Sequence, residues 1–245
     1  MDFIQNILLS CSVILPAIIA YILGDRLKPY FGLLLTFSGA FLMGISFIHL
    51  IPEAFGRSKY DNLGVFILIG FLIQLCLDFM SKGVEHGHVH KQDSQRSIFF
   101  VCAGLFIHAF LEGMPLLDSH QVHIHGEGMH IDHSQEHMFF AIILHKIPAA
   151  LALTLLLLVS KVKRIAIIGI IVLFSMMTPL GGAIGSHLSF IKENEPIITA
   201  IVIGSLLHIS TTILFEMDKK GNHDISITKV LVILFGFGLA MLTIH

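Results

Sequence analysis

Eight apolar runs of about 20 residues divide the chain, at roughly 3–23, 30–54, 62–81, 97–117, 138–159, 164–187, 196–216 and 226–245. The hydrocarbon core of a bilayer is about 30 Å thick and is crossed by about 20 apolar residues of helix. Inside it each backbone N–H and C=O has to be satisfied within its own segment, so runs of this kind cross as helices. The expected fold is therefore an all-α membrane protein of eight transmembrane helices, a single domain over 1–245 with the lipid bilayer as its surroundings. Of the 245 residues 55% are hydrophobic and 13% charged, which excludes an ordinary soluble domain. Nothing in the chain calls for nucleic acid. The first run follows no Lys or Arg and has no small-residue cleavage signal, so it reads as a retained helix. Cys11, Cys76 and Cys102 all fall in apolar runs, an odd set that argues against a disulfide framework or a cysteine metal site.

Lys and Arg set the orientation. Loops on one side hold Arg26, Lys28, Lys82, Lys91, Arg96, Lys161, Lys163, Arg164, Lys219, Lys220 and Lys229, whereas the other side holds only Arg57, Lys59 and Lys192. That bias predicts both termini outside the cytoplasm, loop 82–96 inside and loop 118–137 outside, in the cell's plasma (inner) membrane.

Lys146 is left over, within the fifth run, beside His145 and before Pro148. The fourth run holds His108 and Glu112, four residues apart and so on one helix face. Ionisable groups at membrane depth are expensive and face a partner or a wet cavity. A lone histidine there is as readily explained by a hydrogen bond across helices. A carboxylate one turn away and a second histidine on a neighbouring run favour a metal, because two imidazoles and a carboxylate suit a divalent transition ion, zinc above all. His108, Glu112 and His145 are the expected ligands.

Prolines sort the runs. Pro16, Pro115, Pro148 and Pro179 lie within runs one, four, five and six; Pro29, Pro52 and Pro196 lie at the ends of runs two and seven. An interior proline frees a carbonyl four residues back. In a membrane such a group needs a neighbour or water, so kinked helices line cavities. The expectation is a four-helix unit of runs one, four, five and six around the site, inside a straighter frame of the other four. A loose internal likeness supports a repeat: run two has His49 followed by Glu53, and run seven has His208 followed by Glu216, which marks these four residues as expected pathway groups. If runs one to three repeat as six to eight, the second copy is inverted, a common plan for secondary transporters. Gly181 and Gly185 in run six allow close helix approach, and Thr178, just before Pro179, points to the site.

The two long loops are histidine-rich. The first has His86, His88 and His90; the second has His120, His123, His125, His130, His133 and His137, with Asp118, Glu127, Asp132 and Glu136 among them. Short histidine tracts gather metal weakly and with pH sensitivity, and metal gathering or sensing is the role expected of both loops.

Taken together, these residues resemble the ZIP (Zrt/Irt-like protein) family of metal transporters. The features are Gly39 to Glu53 in run two, the histidine-rich loop after run three, His108, Glu112 and Gly113, then His145 and Lys146, then Pro179, Leu180 and Gly181. The resemblance implies an eight-helix fold with outward termini, a metal site between helices four and five, and carriage of divalent metal, usually zinc, toward the cytoplasm. It also implies an elevator-like shift of helices one, four, five and six. Some members hold two metals. Where they place an Asn, an Asp and a Glu as ligands, this chain has Ala109, Lys146 and Thr178; Phe41 and Ala149 fall where some members have Met and Glu ligands. A mononuclear site follows, with Lys146 supplying the positive charge of a second ion. Zinc, iron, manganese and cadmium all suit such ligands, and a homodimer is compatible with the plan. The alternatives are an intramembrane zinc-dependent hydrolase, which would want His-Glu-x-x-His, and a metal sensor. That motif is absent, so the chain reads as a carrier and not an enzyme.

The orientation is open to a direct check. In a chain with its native cysteines replaced, Ser119→Cys should react with an impermeant thiol reagent from outside the cell and Ser94→Cys should not. The opposite labelling would reverse the orientation.

Overall fold

Proline punctuation accounts for several helix ends. Pro29 and Pro196 stand in the first turns of their helices, where backbone N–H groups have no helical partner and a missing one costs nothing. The computed structural model describes residues 3–58, 60–84, 91–92, 94–116, 134–215 and 227–243. These residues are helical, with no strand among them: α1 (Phe3–Leu23), a 3-10 turn (Gly24–Leu27), α2 (Lys28–Ile45), a π-helical turn (Ser46–Leu50), α3 (Ile51–Arg57), α4 (Leu63–Ser81), α5 (Gln95–Gly113), α6 (Ser134–Val159), α7 (Arg164–His187), α8 (Ser189–Glu193), α9 (Glu195–Phe215) and α10 (Ile227–Leu242). Among the described residues seven spans are long and apolar enough to cross a bilayer, Pro29–Gly56 counting as one. The expected eighth, α10, has 16 residues. At 1.5 Å per residue it covers about 24 Å, short of a hydrocarbon core of about 30 Å. The bundle is an all-α membrane protein whose outer surface carries large apolar side chains such as Phe79, Ile165, Phe190 and Leu231, as a lipid-facing surface requires.

Three sequence expectations are corrected. Pro115 does not kink the fourth span. It lies in the turn just past the end of α5 and ends the helix, since it can neither donate to the preceding turn nor leave its predecessor comfortably helical. The second span is not a regular rod. Pro52 has no N–H for the Ile48 carbonyl, and the chain widens just before it: the Ile51 N–H reaches the Ser46 carbonyl, five residues back. Finally, α6 begins at Ser134, so His137 belongs to a helix and not to the loop before it.

The helices pack in two groups. α1 lies along α6 and α7, and α5 along α7; α4 lies along α9, and α2 along α10 and α9. Between the groups α4 meets α5 and α2 meets α6. The proline division matches the packing for α1, α6 and α7, and α5 joins them through its contact with α7 although it holds no interior proline. One core gathers Val13, Leu105, Leu153 and Phe174 from the first group. The other gathers Leu42, Ile203 and Leu206 from the second, joined by Met138 and Ile142 from the first half of α6.

Glycine seams set the closest approaches. A Cβ at Gly181 or Gly185 of α7 would strike the carbonyls of Phe110 and Met114, and one at Gly113 of α5 would strike that of Thr178. Gly70 and Gly204 interlock α4 and α9 in the same way, against the carbonyls of Ile201 and Ile67. Without a hydrophobic effect between helices in lipid, backbone approach of this kind supplies the packing energy. Gly181→Ala should therefore lower the thermal midpoint of the purified protein, at an overpacking cost of about 1–3 kcal/mol. Gly169→Ala, where a Cβ meets nothing within 4 Å, should not lower it.

Candidate metal centre

The seam between α5 and α7 sets Phe110 and Gly113 of α5 against Gly181 and Thr178 of α7, and α6 brings His145 and Lys146 to Glu112. His108 Nε2 is 3.1 Å from Glu112 Oε2, one helical turn on. His145 Nε2 is 3.0 Å from the same oxygen, and the two Nε2 atoms are 3.5 Å apart. All three side chains are at most 5% exposed.

The outer partners of the two imidazoles fix which nitrogen carries the proton. His145 Nδ1 lies 3.2 Å from the Ala141 carbonyl, which only accepts, so Nδ1 is the protonated nitrogen. The Ser205 hydroxyl donates to Gln74 Oε1 at 2.9 Å, so it accepts from His108 Nδ1 at 3.3 Å. Both Nε2 atoms then present lone pairs. Glu112 Oε2 then faces two unprotonated nitrogens, each within 3.1 Å of it. With both rings in these tautomers, three acceptor atoms face one another across 3.0–3.5 Å. Ligands about 2.0–2.1 Å from a tetrahedral zinc are about 3.3 Å from one another, and the separations here bracket that figure. Donation of the second imidazole nitrogen to an outer partner is the usual means of orienting a metal-binding histidine.

Glu112 Oε1 faces the other way. Lys146 Nζ is 2.5 Å from it, and the Thr178 hydroxyl, 3.1 Å from it, also reaches the Ala109 carbonyl at 2.8 Å. The Lys146 ammonium lies 5.0 Å over the Phe174 ring, a cation–π contact that helps hold a charge only 2% exposed. One carboxylate therefore serves two partners: Oε1 neutralises a lysine, and Oε2 is left for an ion.

The remaining expected residues fall as follows. Ala109 is at the centre through its carbonyl. Ala149 is one turn beyond His145 on α6, buried and without a ligand atom. Phe41 is buried in the second group's core, its ring near that of Phe37. His208 is buried on α9 with its ring edge-on to Phe71. His49 and Glu53 are not at this centre; they join His137 elsewhere. Glu216, His86, His88, His90, His120, His123 and His125 lie outside the described residues. Sequence reasoning missed Ser205, Gln74 and Phe174. Nothing in the sequence marks Ser205, which is 97 residues from its histidine. In contrast, His137 carries a signal, eight residues before His145 on one helix.

The sequence model of the family described as ZIP Zinc transporter matches residues 81–244, which takes in α5, α6, α7 and α9 and every residue of the centre. No curated protein matches the chain.

Removing Lys146 tests the divided carboxylate. Stripping one partner from a buried ion pair typically costs about 3–5 kcal/mol. Metal-free Lys146→Ala should unfold at lower temperature than the parent, while zinc restores more of its midpoint than it adds to the parent. In addition, Lys146→Asp should bind one more zinc equivalent than the parent, measured by calorimetry. An unchanged stoichiometry would show that Lys146 does not stand in for an ion.

Proposed function

The chain belongs to the ZIP zinc transporter family, and from that premise we propose that it carries zinc through one mid-membrane site toward the cytoplasm. Transport of divalent metal across a membrane, and not an enzymatic reaction, is the activity of that family. The observation that carries the proposal is the convergence of His108 Nε2, His145 Nε2 and Glu112 Oε2 inside the bilayer-spanning bundle, with Lys146 held on the opposite oxygen. Imidazole and carboxylate without thiolate suit zinc, and also suit iron, manganese and cadmium less selectively. The buried pair lets the site empty without leaving a bare carboxylate. When the ion leaves, Lys146 keeps Glu112 neutralised, so release costs less than from a site of carboxylates alone.

The packing supports an elevator-like cycle. Exchanging α1 with α7, α2 with α9, α4 with α10 and α5 with α6 maps the contacts within each group onto one another: α1 on α6 becomes α7 on α5, and α4 on α9 becomes α10 on α2. The contacts between groups do not map this way. α4 packs along α5 and α2 along α6, while among the described residues α10 has no comparable packing on α6, nor α9 on α5. An inverted repeat caught at one end of its travel has this asymmetry, and the opposite state follows by exchanging the two kinds of contact. The ligands all stand on α5 and α6, within one group, so the ion travels with it. The excess of Lys and Arg on one side supports outward termini in the plasma membrane and inward carriage.

Zinc uptake into vesicles holding the purified protein is the test. His108→Ala and His145→Ala should each reduce the rate by more than about ten-fold, since loss even of an outer partner of a metal ligand typically costs 10–100-fold. Uptake that survives both changes would remove the site from the pathway. Competition by iron, manganese and cadmium in the same vesicles reads the preference.

A further inference from the structure

His49, Glu53 and His137 come together at the end of the bundle where α6 begins, one ligand atom from each within 4.8 Å of the others. The π-helical turn before Pro52 carries His49, and the first turn of α3 carries Glu53. His137 is eight residues before His145 on α6, about 12 Å along the helix at 1.5 Å per residue. The cluster is thus separate from the centre and nearer the surface. Glu53 is 24% exposed in its side chain and His137 11%.

Proton positions again follow from the partners. His137 Nε2 lies 3.1 Å from the Thr243 carbonyl, and His49 Nε2 lies 3.1 Å from the Ala240 carbonyl. Carbonyls only accept, so both Nε2 atoms are protonated and both Nδ1 atoms are left with lone pairs when the rings are neutral. Yet His137 Nδ1 is 2.8 Å from Glu53 Oε1, two acceptors face to face, and Glu53 Oε2 is buried with no hydrogen-bond partner among the described residues. The His49 ring lies beside that of His137, centroids 4.1 Å apart. A cation between these atoms resolves the arrangement, and the candidates are a divalent metal and a second proton on His137. Two imidazoles oriented by backbone carbonyls and a carboxylate with an unused oxygen are the donor set of a metal site.

We infer that His49, Glu53 and His137 form a second divalent-cation site of the zinc-binding class, distinct from the mid-membrane centre. Its ligands come from both helix groups, His137 from α6 and the others from the span of α2 and α3, with Ala240 of α10 and Thr243 just past its end supplying the orienting carbonyls. An ion there ties α6 to its neighbours at one end of the bundle. The site does not require the centre to be a transport site.

The test is zinc binding to the purified full chain, with the histidines of 86–90 and 120–133 replaced by serine to silence the loops. The parent should bind two zinc ions. His108→Ala with His145→Ala should leave one, and that ion should raise the thermal midpoint. Glu53→Gln, close in shape to the native side chain, should weaken the remaining ion by more than ten-fold, and His49→Ala with His137→Ala should abolish it. Proteins that elute as the parent does separate lost binding from lost folding. A centre-less variant that binds no zinc, or whose zinc ignores Glu53→Gln and the double histidine change, would overturn the inference. So would a doubly protonated His137 by nitrogen NMR at saturating zinc, which would mean a proton only. Loss of transport with two ions still bound, or the reverse, separates this site from the proposed carrier function.

Discussion

Glu112 offers its two oxygens to two different partners, and the rest of the centre is arranged around that division. Lys146 and Thr178 take one oxygen, and the lone pairs of His108 and His145 surround the other. In a bilayer an unpaired carboxylate is costly, so the pair with Lys146 makes the metal-free state tolerable. On the proposed reading, the Lys146 ammonium supplies at Glu112 the positive charge that a second ion would otherwise bring.

Backbone contacts make that geometry reproducible. Gly113, Gly181 and Gly185 bring α5 and α7 together until Thr178 reaches both the Ala109 carbonyl and Glu112. Gly70 and Gly204 do the same for α4 and α9, and α9 presents Ser205 to His108. Each imidazole thus takes its tautomer from a group outside the centre. One such group, Ser205, belongs to the other helix group, so a sliding motion between the groups would break the Ser205 contact while leaving Glu112, Lys146 and His145 intact. Loosening of one ligand at one end of the travel is a physical route from movement to release.

Much of this was legible before any coordinates. The four-residue spacing of His108 and Glu112 marks one helix face, and ionisable side chains in apolar runs advertise themselves because lipid makes them costly. The sorting of the runs by proline also anticipated the packing, although Pro115 proved to end its helix. The partners that orient the imidazoles were not legible. Ser205 and Gln74 are small or common polar residues far from His108 in sequence, and only the fold brings them together. His137 was hidden by a helix boundary a few residues out, because polar residues ahead of the apolar run disguise the first turn of α6. The irregular turn before Pro52 was equally invisible, since a proline near a run's end reads as a stop until the widened hydrogen bond to Ser46 is seen.

The most direct test of the central claim is X-ray absorption at the zinc edge. It should be made on protein bearing His49→Ala and His137→Ala, with the loop histidines replaced, so that only the mid-membrane ion contributes. Two imidazole nitrogens and one carboxylate oxygen at about 2.0–2.2 Å, with no sulfur at about 2.3 Å, are expected. One zinc per chain should be present, and the imidazole signal should halve in His145→Ala. A spectrum unchanged by His145→Ala, or one requiring two zinc ions close together, would contradict the account of one ion held opposite Lys146.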